Sequence, residues 1–286
     1  TLTNQGIELE VGYKLSVDKV NLSFLANASY VKNEIKNLGN QTGYIDKESL
    51  PTLGTVSRNE NGYPIGYFFG YKAIGVFQTQ EEIDSYISPA TGKPIQPNAA
   101  PGDTKFEDLN GDGVISDDNE DRTMIGKPNP DWMVGLTVAA DWNGFDLSAF
   151  FQGSFGADVF DALRRYELAA VNYTSDALER WTGPGTSNSM PRIVLGDTPK
   201  NFRPSTLLVH DASFLRLRNL QVGYTLPAQL TRKAYIQRLR FYASFDNLLT
   251  ITGYKGMDPE IGSTMGIDKG VYPQARVYTF GLNLTF

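Results

Sequence analysis

Across 286 residues the chain carries 26 Lys and Arg against 32 Asp and Glu, a net charge of −6, and no cysteine. An acidic balance without a basic run excludes nucleic acid as the main partner, because phosphate recognition requires clustered cations, and the missing thiols exclude disulfides and thiolate metal sites. No run of about 18 apolar residues occurs, so a transmembrane helix is excluded too, and Thr1 to Gln5 show no charged-then-apolar leader.

Seven segments place apolar residues at every second position, the period of a β-strand with one apolar face. The first sets Ile7, Leu9, Val11, Tyr13 and Leu15 against Glu8, Glu10, Gly12 and Lys14. After Ser16 to Lys19, the second sets Val20, Leu22, Phe24, Ala26, Ala28 and Tyr30 mainly against Asn21, Ser23, Asn27 and Ser29. The third sets Trp132, Val134, Leu136, Val138, Ala140 and Trp142 against Gly135, Thr137, Ala139 and Asp141. The dipeptide Asn143-Gly144 signals a tight hairpin, and the fourth segment continues with Phe145, Leu147, Ala149 and Phe151. The fifth and sixth lie near 214–226 and 238–249, and the last ends on Tyr278, Phe280, Leu282, Leu284 and Phe286. In the fifth, Arg216 and Arg218 share the parity of Leu220, Val222 and Tyr224. Either a bulge near Arg218 to Asn219 turns both arginines to the polar side, or they lie outside at headgroup level.

Segments of about ten residues match the length that crosses a bilayer at a tilt near 45°, whereas ordinary strands have about five or six. Mean hydropathy of −0.30 fits a spanning strand whose alternate residues face a polar lumen. Connection lengths alternate as well. Short links follow the first, third and fifth segments, and long ones, 33–131, 156–213 and 250–274, follow the second, fourth and sixth. Short periplasmic turns and long extracellular loops are the pattern of outer-membrane barrels. The expected fold is all-β, a transmembrane antiparallel β-barrel portion of about seven spanning strands with long extracellular loops containing short helices. An odd strand count leaves the N-terminus outside, so residues 1–286 are expected to be the C-terminal part of a larger barrel, with upstream strands and a plug absent.

Several stretches carry a family resemblance. They are Asn4-Gln-Gly-Ile-Glu-Leu9, Phe106-Glu-Asp-Leu-Asn-Gly-Asp-Gly-Val-Ile115, Ile125-Gly-Lys-Pro-Asn-Pro-Asp131, Asp211-Ala-Ser-Phe-Leu-Arg-Leu-Arg-Asn219, Asp246-Asn-Leu-Leu249 and Tyr254-Lys-Gly-Met-Asp-Pro-Glu260. In order and spacing they resemble the C-terminal region of SusC/RagA-like TonB-dependent transporters, across nearly the whole chain. The resemblance implies a bacterial outer-membrane barrel of roughly 22 strands with a plugged lumen. It also implies lipid around the wall, TonB contacted through an upstream region, and a SusD-like surface lipoprotein as a lid. The implied function is nutrient import, of oligosaccharides first, with peptide import or a passive structural barrel as alternatives. No plug or TonB-contacting residue can be placed on this chain.

The sharpest local motif is Asp108-Leu-Asn110-Gly-Asp112-Gly-Val114. Oxygen donors at Asp108, Asn110 and Asp112 and the Val114 carbonyl resemble an EF-hand-like calcium loop. Position twelve is Asn119 rather than Glu, so Asp118 (or Asp117, Glu120 or Asp121) is expected to supply the further carboxylate to a structural calcium ion. The alternative is a solvated acidic turn. His210, the single histidine, has Asp211 beside it but no matching serine, so no catalytic set is expected. Asp161, Arg164, Arg165 and Glu167 are expected on the solvated face of a helix over 157–171. The loop aromatics Tyr63, Tyr67, Phe68, Phe69, Tyr166, Tyr173 and Trp181 could stack on sugars or pack against a lid, but packing of the loops alone explains most of them.

Overall fold

The computed structural model describes residues 1–117, 120–168, 172–261 and 265–286. Seven long strands form one antiparallel sheet in simple chain order: β1 (Leu2–Val17), β2 (Val20–Ile35), β3 (Trp132–Trp142), β4 (Phe145–Phe155), β5 (Phe214–Thr225), β6 (Arg238–Thr252) and β7 (Val277–Thr285). β1 and β7 are its edges. No helix among the described residues is long and apolar enough to cross a membrane, which says nothing about crossing by strands.

Register makes this sheet a wall with two unlike faces. Across one row Val11 pairs with Ala26, Ala26 with Leu136, and Leu136 with Phe151. The row continues from Phe151 to Leu217 and from Leu217 to Leu249. Side chains on one strand alternate faces, so in-register pairing of apolar residues gives a continuous apolar surface. That surface is left uncovered, with Leu136 37% exposed in the middle of the sheet and Ile7 and Phe280 74% and 75% exposed on its edge strands. Two aromatic rows bound it. Tyr30, Trp132 and Phe155 pair at one end, while Trp142, Phe145, Tyr224 and Phe241 pair at the other. The 11 residues of β3 between those rows rise about 34 Å along the strand, or about 24 Å along the normal at a tilt near 45°, the height of an outer-membrane apolar band.

The short hairpins follow turn chemistry. Asn143 and Gly144 both have positive φ, 50° and 90°, as a two-residue hairpin matching strand twist requires. At the other end of the wall the long connections fold together. Leu50, Val56 and Phe68 from the first, Phe160, Ala162 and Leu208 from the second, and Ile267 from the third form one buried cluster. The described loops therefore own the hydrophobic core, and the wall does not. They also add short strands of their own, including Tyr67–Tyr71 and Arg122–Gly126, and one short α-helix, Gln80–Ser85.

The helix expected over 157–171 does not form. Asp158–Asp161 is instead a strand, paired antiparallel with Val209–Asp211 and parallel with Ile267–Asp268. Ladder bonds to two neighbours and burial of Val159 and Phe160 outweigh a weak local helical pattern. Residues 169–171 lie outside the described set.

The face assignment predicts that Leu136→Arg or Leu282→Arg costs about 2–4 kcal/mol of folding stability in bilayers. Thr137→Arg and Asn283→Arg, on the inner face, are expected to be tolerated. Denaturant unfolding of the full-length protein in lipid vesicles measures this, and equal losses on both faces would refute the assignment.

Candidate functional site

The polar face of the wall carries a charged network built on a bulge. Relative to β4, β5 gains one residue at Arg218, and relative to β5, β6 gains another around Asn247. Asn247 takes a positive φ of 52°, a conformation its short polar side chain tolerates. The phase change keeps Leu215 and Leu217 on the apolar face with Leu220 and Val222. Arg216 and Arg218 are thereby turned inward, so the bulge alternative is the one that forms.

Arg216 is 1% exposed and held by two acids. Its Nη2 donates to Asp258 Oδ1 at 2.6 Å, its Nη1 to Glu260 Oε2 at 3.0 Å, and its Nε to Thr250 Oγ1 at 2.9 Å. Arg218 donates to Glu260 at 2.5 and 2.7 Å, to Gln152 at 2.6 Å and to Asn247 at 3.1 Å. The Asn219 amide donates to Asp246 at 2.7 Å. Three of the stretches that carried the family resemblance, 211–219, 246–249 and 254–260, thus meet in one place. A buried guanidinium with all its charge compensated holds the third connection against the inner wall. Burial pushes the Asp258 carboxyl up, but the amides of Gln274 and Glu260 and the Arg216 guanidinium outweigh it, leaving Asp258 below the usual carboxylate value.

The Asp108–Val114 stretch is a turn that closes on itself. Asp108 accepts from the amides of Gly111 and Gly113 at 2.8 and 2.9 Å, and Asp112 accepts from Val114 N at 2.8 Å. Asn110 Oδ1 accepts from Asp112 N, and its Nδ2 donates to Asp112 Oδ2 and Glu120 Oε2, both at 3.0 Å. Asp121 is fully buried and accepts from Leu109 and Ser116 amides. These are hard oxygen donors, the chemistry calcium takes. An amide nitrogen nevertheless lies between Asp112 and Glu120, and among the described residues no three His, Cys, Asp or Glu side chains gather as a metal set. Asp118 lies outside the described residues.

His210 faces Asp161, with Nε2 at 3.7 Å from Oδ2, rather than its neighbour Asp211, which accepts from Ser213 N. Asp161 is buried and also pairs with Arg164 at 2.9 Å, while Arg165 pairs with Glu167. The charges expected on a solvated helix are therefore internal ties. Tyr67, Phe68, Phe69 and Tyr166 are buried in the loop core and present no face to a sugar; Tyr173 is 51% exposed. Sequence reasoning missed the role of Asp258 and Glu260, because nothing local ties an acid in a long connection to an arginine 42 or 44 residues away.

Two outcomes follow for the inner network. Arg216→Met is expected to cost about 3–5 kcal/mol by stranding buried carboxylates, with part recovered in the Arg216→Met, Asp258→Asn double variant; denaturant unfolding of the full-length protein in vesicles tests this. Because Asp258 has a depressed pKa in the folded state, its contribution is present above the unfolded value and lost as pH falls through the folded one. Limited proteolysis of 253–276 should accelerate only below about pH 4, and acceleration already at pH 6 would contradict the network.

No protein-family model matches the chain. It is 34% identical over 236 residues to TonB-dependent receptor P3 of Formosa agariphila, covering 79% of this chain and 22% of that receptor. It is 30% identical over 292 residues to TonB-dependent receptor SusC of Bacteroides thetaiotaomicron, covering 100% of this chain and 26% of SusC. Among solved structures, the RagAB peptide transporter superposes with a TM-score of 0.75 at 26% identity over 100% of this chain and 29% of that one. The chain thus spans under a third of the relatives it matches. Its wall, its inward arginines and these likenesses agree: the chain belongs to the SusC/RagA-like family of TonB-dependent outer-membrane receptors and forms part of the family's β-barrel.

Proposed function

We propose that this chain is a section of an importer that carries a nutrient across the bacterial outer membrane, driven through TonB and capped by a SusD-like lipoprotein. The observation that carries this reading is the wall itself. A lipid-matched apolar face lies outside, a polar face inside, and three long connections are folded into one body at one end. A wall built only to anchor a surface protein has no use for a connection fastened by buried charges to its inner face. The substrate we favour is an oligosaccharide. A peptide is the second reading, supported by likeness to a structure described as a peptide transporter.

Deleting the full-length gene is expected to abolish growth on one oligosaccharide as sole carbon source, and restoring it to a strain lacking TonB should not rescue growth. Growth defects confined to peptide media would favour the second reading. Uptake that persists without TonB would favour a passive barrel.

Calcium in the 108–121 turn is a structural element of the same proposal, supported by the oxygen donors of Asp108, Asn110 and Asp112 and the Val114 carbonyl. Calorimetry on the full-length protein is expected to show calcium binding that the Asp108→Ala, Asp112→Ala double variant loses. Equal heats in both proteins would remove the ion from the account.

A further inference from the structure

The outward face of the wall is apolar with one interruption. Along the seven paired strands, the positions that share this face are aliphatic, aromatic or glycine except four: Thr3, Gln5, Lys32 and Glu34. The four are neighbours, with Gln5 paired to Lys32 and Thr3 to Glu34. They lie immediately beyond the row in which Ile7, Tyr30, Trp132 and Phe155 pair, at the end of the wall that carries the long connections. One row is two residues, about 7 Å along a strand and about 5 Å along the membrane normal at a tilt near 45°. Lys32 therefore stands at the height of lipid headgroups.

Only the outward side of this ribbon is open. On its inner side Ile35 is buried and its amide donates to Tyr63 O at 2.9 Å, while Asn33 Oδ1 accepts from Ile65 N at 2.7 Å. The first connection thus covers the inner side. β3 begins at Trp132, so past that point β2 has no strand beside it, and a backbone bond from Val31 N to Asp131 O at 2.9 Å ties it to the incoming chain. A cavity of about 830 Å³ fills the notch, within the range that holds a small ligand. It is lined by Tyr30, Lys32 and Glu34 from the outward face, by Met133 from the inner one, and by Lys127 and Asn129 from the incoming chain.

Charge and polarity select the ligand. Glu34 is bonded to Lys36 at 2.6 Å and Lys127 is paired with Asp131, whereas Lys32 has neither ion pair nor hydrogen bond among the described residues. One ammonium is left over, on a flexible four-carbon stem. At the edge of the hydrocarbon layer such a cation draws an anionic headgroup. Asn129 donates its amide to Ile65 O at 3.1 Å and leaves its side-chain oxygen as an acceptor, which a phosphate cannot use but a sugar hydroxyl can. We propose that this notch seats an outer-leaflet glycolipid, with a headgroup phosphate on the Lys32 ammonium, a sugar hydroxyl on Asn129 Oδ1, and acyl chains descending over Tyr30 and Trp132. The two rings, 5.0 Å apart, form the apolar floor. The inference concerns the lipid of the wall and holds whichever nutrient is carried.

The test strips the full-length protein of lipid by detergent exchange. It is then titrated with bisphosphorylated lipid A, with the same lipid lacking its phosphates, and with phosphatidylglycerol, and bound lipid is counted by native mass spectrometry. Lipid A is expected to bind at least tenfold more tightly than either of the others, a preference that Lys32→Gln loses and Lys32→Arg keeps. Hydrogen exchange on the unaltered protein should slow at 30–34 and 127–129 when lipid A is added. Unchanged lipid A affinity in Lys32→Gln, equal binding of phosphatidylglycerol, or no added protection at those residues overturns the site. Glucosamine 1-phosphate, which has the sugar and the phosphate but no acyl chain, should not displace lipid A; displacement at equal concentration would give the notch to a soluble sugar phosphate and overturn the lipid assignment.

Discussion

Every backbone amide and carbonyl placed in a hydrocarbon layer must find its partner within the protein, and the architecture of this chain follows from that constraint. Between the open edges of β1 and β7, seven antiparallel strands satisfy one another laterally, and their length is set by the layer they cross rather than by a core they enclose. With partners fixed in register, the two-residue period does the rest. Val11, Ala26, Leu136, Phe151, Leu217 and Leu249 fall in one row across six strands because the register keeps like faces together on every strand pair. A one-residue slip would present lysines and aspartates to lipid.

Where a slip does occur it is compensated. The extra residue at Arg218 would reverse faces along half of β5, but it falls between Leu217 and Asn219, so both halves keep their leucines outward. The bulge brings two arginines to the inner side at the height where Asp258 and Glu260 arrive from the following connection. Wall and loops are thereby joined by charge, whereas the loops are joined to one another by the cluster around Phe68, Phe160, Leu208 and Ile267. The division is physically sensible. An inner surface open to water cannot hold a loop by hydrophobic burial alone, but a nearly fully buried guanidinium with two carboxylates fixes both position and orientation.

The wall was legible in the sequence because its determinants are local: a period of two, aromatic ends, and Asn143-Gly144 as a turn. The loops were not, since their structure depends on pairings between distant segments. The stretch 157–171 shows why. Charges at Asp161, Arg164 and Glu167 suggested a solvated helix, but Phe160 and Val159 are claimed by strands contributed from residues 209–211 and 267–268. The loop aromatics were open between roles for the same reason, because a Phe-Phe pair at 68 and 69 reads alike whether it meets a sugar or fills a core, and burial of Phe68 and Phe69 selects packing. The ambiguity at Arg216 and Arg218 was visible, and the register shift between Leu217 and Asn219, together with the partners at 258 and 260, resolves it.

The chain contains no cysteine, which opens the most direct test of the wall. Single cysteines introduced from Met133 to Asp141 in the full-length protein can carry an environment-sensitive fluorophore, quenched either by brominated lipid or by aqueous iodide. The account predicts a strict alternation, with lipid quenching at 134, 136, 138 and 140 and iodide quenching at 135, 137 and 139. Uniform quenching along the segment, or a 3.6-residue period, would contradict it.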